Sequence, residues 1–211
     1  MLKTLTTAVV SLCIAGSAAA DLINPLEPSW RGDANTAFAQ WDSFTSAAGG
    51  PNAPTEGSGY NLYNFNDGAI LTGGGNMYAS SNSLNIHVYP AAAPLFNLQQ
   101  AVVNISFLGN PIDVDNVQAF VGEPGSGEYF TMESQFRGGD PTSLFAPKTY
   151  AFTVDLSGAA RGFQGLSFFF ESLDENSSLD AISIDVLGSA IPAPGALLGL
   201  GLLGVARRRK R

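Results

Sequence analysis

The pattern of apolar and polar positions along the chain is typical of many short β-strands. In KTYAFTVDL, residues 148–156, Tyr150, Phe152 and Val154 alternate with Thr149 and Ala151. A period of two places alternate side chains on opposite faces of a strand. AVVNISFLG (101–109) and AISIDVLG (181–188) show the same pattern. We expect strands with one core face and one solvated face.

Further segments with strand character fill the rest of residues 21–190, and Gly, Pro, Asn and Asp clusters separate them. They are AFAQWDSFTS (37–46), YNLYNF (60–65), LNIHVY (84–89), DNVQAFVG (115–122), EYFTMESQF (128–136) and GLSFFFES (165–172). Helical periodicity of any length is absent from this body. Eight or nine short strands predict an all-β fold, an antiparallel β-sandwich of jelly-roll type. Residues 47–59, rich in Gly and Pro, are expected to form a surface loop.

The N-terminus has the pattern of a secretory signal peptide. Lys3 precedes an apolar stretch at residues 5–14, and Ala18-Ala19-Ala20 offers the small residues of a cleavage site. We expect residues 1–20 to form a signal helix that is removed after Ala20, with a retained anchor as the alternative. Cys13, the one cysteine, leaves with it, so the mature chain has no disulfide.

Charge separates the body from the two ends. Four of the ten basic residues and all eighteen acidic residues lie between 21 and 190, so the body carries 4 − 18 = −14 while the whole chain carries −8. A body this acidic repels phosphate backbones. Nucleic acid is therefore excluded as an expected partner.

The C-terminal residues 191–211 have three parts. Ile191-Pro192-Ala193-Pro194 is followed by an apolar, glycine-rich run to Ala206 and then by the basic residues Arg207, Arg208, Arg209, Lys210 and Arg211. Prolines interrupt a helix, and a basic cluster stays on the cytoplasmic side of a membrane. This layout resembles the PEP-CTERM sorting signal of Gram-negative bacteria, also labelled the C-terminal domain of ice-binding proteins, although Ala193 stands where that family has glutamate.

The resemblance implies a short transmembrane helix, transient anchoring in the inner membrane, and cleavage near the proline motif by an exosortase-like membrane protease. The body would then reach the cell surface or the extracellular matrix; a permanent single-span anchor is the alternative. The last strand segment before the motif is similar to that of carbohydrate-binding jelly rolls. In those modules an aspartate at the start of that strand ligates a structural calcium, and the matching residue here is Asp180.

Catalytic motifs are absent from the sequence. It contains no Gly-x-Ser-x-Gly elbow, no His-Glu-x-x-His and no phosphate-binding glycine loop. The one histidine, His87, shares the polar side of its strand with Asn85 and Tyr89, which predicts a solvated residue. No cofactor is expected, with the possible exception of a structural calcium.

Calcium prefers hard oxygen ligands on irregular backbone, and two stretches offer them. One contains Asp113, Asp115 and Asn116, and the other contains Asp174, Glu175 and Asp180. Neither has the spacing of an EF-hand loop. The alternative for both is that the carboxylates are only solvated.

Exposed aromatic rings would indicate sugar binding. The candidates are Trp30, Tyr63 and Tyr89, and Tyr60 and Tyr78 are secondary candidates. Trp41 is instead expected in the core beside Phe38 and Phe44. The sequence thus favours a non-enzymatic exported protein that binds extracellular polysaccharide. The alternatives are a polysaccharide hydrolase, which would need two carboxylates in one cleft, and a purely structural matrix component.

Overall fold

The computed structural model describes residues 21–91, 95–123 and 125–189. These residues form strands and connecting segments with no α-helix, as the sequence predicts. The predicted signal peptide (1–20) and sorting signal (191–211), with the helix expected in each, lie outside the described residues. Among the described residues no helix has the length and apolarity needed to cross a membrane.

The described residues contain sixteen strands, and all pairings among these strands are antiparallel. They are β1 Thr36–Trp41, β2 Gly49–Asn52, β3 Glu56–Gly57, β4 Tyr60–Asn64, β5 Ala69–Leu71, β6 Met77–Ala79, β7 Asn85–Pro90, β8 Leu95–Phe96, β9 Leu98–Gly109, β10 Gln118–Val121, β11 Glu128–Thr131, β12 Glu133–Gly139, β13 Lys148–Asp155, β14 Phe163–Gln164, β15 Leu166–Glu171 and β16 Ser177–Gly188.

Two large sheets dominate the structure. Sheet I has eight strands in the order β12-β13-β9-β16-β1-β3, with β6 also pairing to β16 and β5 to β6. Sheet II has six strands in the order β11-β10-β15-β7-β4-β2. Strands β8 and β14 form a separate two-stranded ribbon.

The inward faces of both sheets share one apolar core. Trp41, Phe107 and Phe152 enter it from sheet I, and Leu62 and Phe168 enter it from sheet II, all with at most 1% of their surface exposed. The alternation in β13 is confirmed, because Phe152 and the residues two and four positions on are buried in this core. Truncating such a side chain to alanine typically costs about 3–5 kcal/mol.

The outer face of sheet I is also buried, which the sequence did not predict. Asn104, Ser106, Thr149, Ser183 and Asp185 point away from the core, yet none of them is exposed to solvent. The expectation that β9 and β16 each have a solvated face is therefore wrong. The cover consists of residues 21–35, which we call the strap.

The strap satisfies the polar groups that it covers. The Ile23 amide donates to Thr149 Oγ1 at 2.8 Å, and the Leu26 amide donates to Asn104 Oδ1 at 2.7 Å. Asn104 Nδ2 returns a hydrogen bond to the Leu26 carbonyl at 3.1 Å. Buried polar groups are tolerated when they are paired in this way.

Arg31 of the strap neutralises the buried carboxylate of Asp185. Its Nε and Nη2 donate to the two oxygens of Asp185 at 2.6 and 2.7 Å, a bidentate ion pair. Burial raises the pKa of Asp185, and the hydrogen bonds from Arg31 oppose that shift. The guanidinium also lies over the ring of Phe38, 4.4 Å from its centre. Phe38 therefore belongs to the outer face, and only Trp41 and Phe44 occupy the core as expected.

Three segments differ from their sequence predictions. EYFTMESQF divides at Met132 into β11 in sheet II and β12 in sheet I, so the chain changes sheet at a buried methionine. The expected loop 47–59 contains β2 and β3, and it is ordered by the buried side chain of Asn52. Strands β5 and β6 lie in a region where the sequence indicated turns.

Candidate functional site

The outer face of sheet II carries a continuous group of aromatic side chains. Its members alternate with core residues on β4, β7, β10, β11 and β15, so they point away from the core. We call this group the platform; it comprises Tyr63, Phe65, His87, Tyr89, Phe120, Tyr129 and Phe169.

Strand register brings the platform rings into contact. Phe169 lies opposite His87, and His87 lies opposite Tyr63, on three adjacent strands. Neighbouring strands are about 4.8 Å apart, so side chains on the same face at one register position touch. The His87 ring lies 4.6 Å from Phe65 on one side and 4.6 Å from Phe169 on the other, measured between centroids.

Tyr129 extends the platform across the edge of the sheet. Its ring lies 4.7 Å from Phe120 and 6.0 Å from Phe169. Tyr129 is 60% exposed and Phe65, at the opposite end, is 55% exposed. An apolar face that remains open on a folded domain indicates a contact surface.

His87 lies at the centre of the platform and is hydrogen-bonded through both ring nitrogens. Its Nε2 lies 2.7 Å from Asn85 Oδ1, and its Nδ1 lies 2.9 Å from the Tyr89 hydroxyl. An amide oxygen only accepts, so Nε2 donates to Asn85, and in the neutral ring Nδ1 accepts from the Tyr89 hydroxyl. Burial lowers the pKa of His87. His87 is half-buried between the flanking rings and is partly open to solvent, because it lines both of the clefts beside the platform.

Two clefts flank the ridge formed by His87, Tyr129 and Phe169, which line both of them. The first cleft has a volume of about 340 Å³, and its polar lining includes Asn85, Asn116, Gln118, Asp113 and Glu171. The Asp113 amide donates to the Glu171 carbonyl at 2.8 Å, which fixes the 113–116 segment against β15.

The second cleft is larger, about 650 Å³, and more apolar. Its rim is a glycine-rich loop with Ser167 and Glu123 beside it. A Cβ on Gly127 would come within 2.3 Å of the Phe120 ring, so only glycine lets the loop lie this close to the platform.

Every charged side chain among the described residues that line the two clefts is a carboxylate. They are Asp113 and Glu171 in the first cleft and Glu123 in the second. The potential over the platform is therefore negative, which disfavours an anionic ligand.

The predicted sugar-binding residues lie on two different faces. Tyr63 and Tyr89 belong to the platform, with ring centroids 5.8 Å apart. Trp30 lies on the strap, where its Nε1 donates to Gln100 Oε1 at 3.2 Å. Of the two secondary candidates, Tyr60 is buried in the core and Tyr78 donates to Asn176 Oδ1 at 2.6 Å.

The predicted calcium ligands are dispersed. Asp113 accepts from Asn116 Nδ2 at 2.6 Å, whereas Asp115 is exposed. Asp174 and Glu175 lie at an exposed turn, whereas Asp180 is buried and accepts hydrogen bonds from Asn76 and Ser106. In residues 21–91, 95–123 and 125–189 no three His, Cys, Asp or Glu side chains are grouped to hold a metal. Calcium binding stays a prediction.

Sequence reasoning missed four platform residues, Phe65, Phe120, Tyr129 and Phe169. A phenylalanine on a strand is usually a core residue. A signal was available in GLSFFFES, where Phe169 alone points opposite to Leu166, Phe168 and Phe170. Combined with Tyr89 and His87 on the outer side of another strand, it indicates an aromatic outer face.

Comparisons with known proteins assign no family. No family model matches the chain, and no curated protein matches it. One solved structure, described as a novel family GH115 4-O-methyl-α-glucuronidase with specificity for decorated arabinogalactans, aligns with 15% identity and a TM-score of 0.32. The alignment covers 70% of this chain and 17% of that one. A likeness this low supports no conclusion about fold or function.

Proposed function

We propose that this chain is an exported, non-enzymatic surface or matrix protein whose platform binds an extracellular polysaccharide that is uncharged or amino-bearing. The observation that carries the proposal is the open row of aromatic rings with amide and carboxylate groups at its edges. Aromatic faces supply apolar contact area, and neighbouring polar groups fix the orientation of a ligand. A sugar ring needs both, because it presents apolar C–H faces and a rim of hydroxyls.

The charge of the clefts supports an uncharged or amino-bearing glycan. Asp113, Glu171 and Glu123 would repel uronate, sulfate or phosphate groups, whereas hydroxyl groups can donate to them. The body as a whole carries −14, so long-range attraction of a polyanion is also absent.

Export and sorting are part of the same proposal and rest on the two ends of the chain. Residues 1–20 would direct export, and residues 191–211 would hold the protein in the inner membrane until an exosortase-like protease acts. The two antiparallel sheets over one core support the jelly-roll likeness. Mass spectrometry of the exported protein should give a C-terminus near Pro192 or Pro194; a mature chain that retains Arg211 would exclude sorting by cleavage.

Binding is tested by retention of the purified protein on immobilised polysaccharides that are neutral, amino-bearing or uronate-bearing. We expect retention on one of the first two classes and none on the third. Tyr129→Ala and Phe65→Ala should each weaken binding about tenfold, because each removes an exposed stacking surface. Phe145→Ala is the matched control, since Phe145 is 91% exposed and does not line either cleft. Equal losses in all three variants, or retention on uronates alone, would exclude the platform as the site.

A hydrolase is the second candidate, and one observation favours it. Asp113 and Glu171 line the same cleft beside the platform, and glycoside hydrolysis uses two carboxylates. Release of reducing ends from a bound polysaccharide, lost in Asp113→Asn and in Glu171→Gln, would establish it. Retention without release supports the binding protein, and neither retention nor release supports a structural matrix component.

A further inference from the structure

Strand β12 forms an open edge of sheet I. It pairs with β13 on one side, and none of the strands in residues 21–91, 95–123 and 125–189 pairs with its other side. With seven residues it is longer than β3, β11 and β2, the strands at the other ends of the two large sheets. The outward N–H and C=O groups of an edge strand are a template for pairing with a further strand.

The exposed part of β12 has regular strand geometry. Residues 133–136 are exposed and face β13 one to one, and the register shifts only between Phe136 and Gly138. A bulge can protect an edge, but this irregularity lies after the exposed residues. Asn24 of the strap donates to the Arg137 carbonyl at 3.3 Å, whereas no backbone group of residues 133–136 is bonded to a described residue outside β13. These four residues are therefore available to pair.

The charges of β12 are symmetric about Gln135. Glu133 stands two residues before it and Arg137 two residues after it. Gln135 lies opposite Ala151, which lies opposite Asn104, so it belongs to the outer face. Arg137 Nη1 donates to Gln135 Oε1 at 3.1 Å on that face. If two β12 strands pair antiparallel with Gln135 opposite Gln135, Glu133 of each copy faces Arg137 of the other. Opposite charges across a pair are stabilising, and no other antiparallel register brings them together.

Phe136 favours the same register from the opposite face. Its ring is 41% exposed and lies 5.2 Å from that of Tyr150, which packs against the core. With Gln135 at the two-fold axis, Phe136 of one copy is diagonal to Phe136 of the other, and aromatic side chains reach across such a diagonal of about 7–8 Å. Pairing would thus remove an exposed apolar ring from water.

We propose that two copies of the chain form a dimer by antiparallel pairing of β12, centred on Gln135, so that sheet I continues from one copy into the next. The contact is the same surface on both copies, as two-fold symmetry requires. The two-fold axis is perpendicular to the joined sheet, so sheet II and the platform of both copies lie on one side of it. If the platform binds polysaccharide as proposed above, the dimer presents two sites to one polymer. The dimer itself does not rest on that function.

Light scattering on the purified full chain measures the association. Salt at about 0.15 M screens the repulsion between two bodies of charge −14 beyond about 8 Å, and a non-ionic detergent disperses the apolar run at 195–206. We expect a concentration-dependent dimer for the wild type. Glu133→Arg places like charges across the pair and should raise the dimer dissociation constant about tenfold. Glu133→Arg combined with Arg137→Glu restores opposite charges and should restore the constant.

Glu175→Arg is the matched control, because it makes the same change in net charge at an exposed turn. It should leave the dimer intact. A wild type that stays monomeric at about 0.5 mM, well above the affinity of a specific dimer, overturns the proposal. Equal weakening by Glu133→Arg and Glu175→Arg also overturns it, as does a folded double variant that remains as weak as Glu133→Arg.

Cysteine cross-linking tests the register without relying on charge. Gln135→Cys is made together with Cys13→Ser, so that the new thiol is the one cysteine in the chain. Cβ atoms at opposite positions of an antiparallel pair lie about 4.5–5.5 Å apart, so mild oxidation or a short cross-linker should give a covalent dimer. Ser157→Cys, exposed in a loop, should stay monomeric in the same background. Equal yields overturn the proposal. A Gln135→Cys dimer that no polysaccharide retains supports the dimer and refutes the platform function instead.

Discussion

The outer faces of the two sheets are opposite in both composition and exposure. Sheet I presents Asn104, Ser183 and Asp185 on its outer face, and all three are buried. Sheet II presents aromatic rings on its outer face, and those at its two ends are more than half exposed. Polarity along a strand therefore does not reveal which face meets water. A polar face can be structural when a segment distant in sequence satisfies it, and an aromatic face can remain open to solvent.

The ion pair beneath the strap offers the largest expected effect. Arg31→Met leaves the fully buried Asp185 without its cation and should lower the free energy of unfolding by about 3 kcal/mol. Urea denaturation measures this change. Arg161→Met, at an exposed position, is the control and should change stability by less than about 0.5 kcal/mol. Similar losses in both variants would show that the strap does not stabilise sheet I.

Asn104 tests the neutral part of the same face. Asn104→Ala removes hydrogen bonds to both backbone groups of Leu26 and to Ser183 Oγ. We expect a loss of about 2 kcal/mol, because polar groups under the strap become unpaired. Amide hydrogen exchange at Leu26 should accelerate at the same time. Unchanged exchange would mean that the strap is held without this residue.

Phe65 tests the open face, where a smaller effect on folding is expected. Phe65→Ala removes a ring that is 55% exposed and contacts Tyr63 and His87. The loss of stability should be about 1 kcal/mol or less, well below that of a core phenylalanine. The same urea measurement on Phe168→Ala, which removes a fully buried ring of sheet II, gives the loss of stability for a core phenylalanine. Equal losses at the two positions would remove the distinction between platform and core.

The smallest expected effect is a pH dependence centred on His87. Because burial lowers its pKa in the folded protein, the unfolded chain, with a value of about 6.5, binds the proton first as pH falls. The contribution of the neutral His87 ring to folding stability is complete above about pH 6.5 and is lost as the pH falls through the lowered pKa of the folded state. The urea midpoint of the wild type should fall between pH 7.5 and pH 5.5, and in His87→Gln the part of this fall that comes from His87 should be absent. As the one histidine in the chain, its ring can be titrated directly by NMR, and a value at or above 6.5 would contradict the expectation.

The sequence predicted the inner faces of the sheets well. Phe152, Ile105 and Ile184 recur with a period of two because one shared core imposes that period on every strand. The outer face of sheet I could not be predicted in this way. Leu26 meets Asn104 across 78 positions and Arg31 meets Asp185 across 154, and no local pattern encodes such pairings.

The platform was predicted only in part for a related reason. Tyr63 and Tyr89 were among the aromatic side chains expected to be exposed for sugar binding, but so was Tyr60, which is buried in the core. Phe65 follows Tyr63 in the same segment, whereas Phe169 and Tyr129 come from two other segments, and strand order in sheet II brings them together. The order of strands in a sheet is a long-range property, so a set of residues that spans five strands cannot be read from any one segment.

The position of β16 at the centre of sheet I determines the order in which sheet I and the strap can form when the N-terminal part of the chain is made first. The strap emerges first, but its binding surface is built from β9, β13 and β16, and β16 is the last of the described strands. Sheet I therefore lacks its central partner until the chain has emerged through Gly188. The strap can therefore dock fully on sheet I only after nearly all of the body has been made. Closure of the strap is thus a late event that depends on the completion of sheet I.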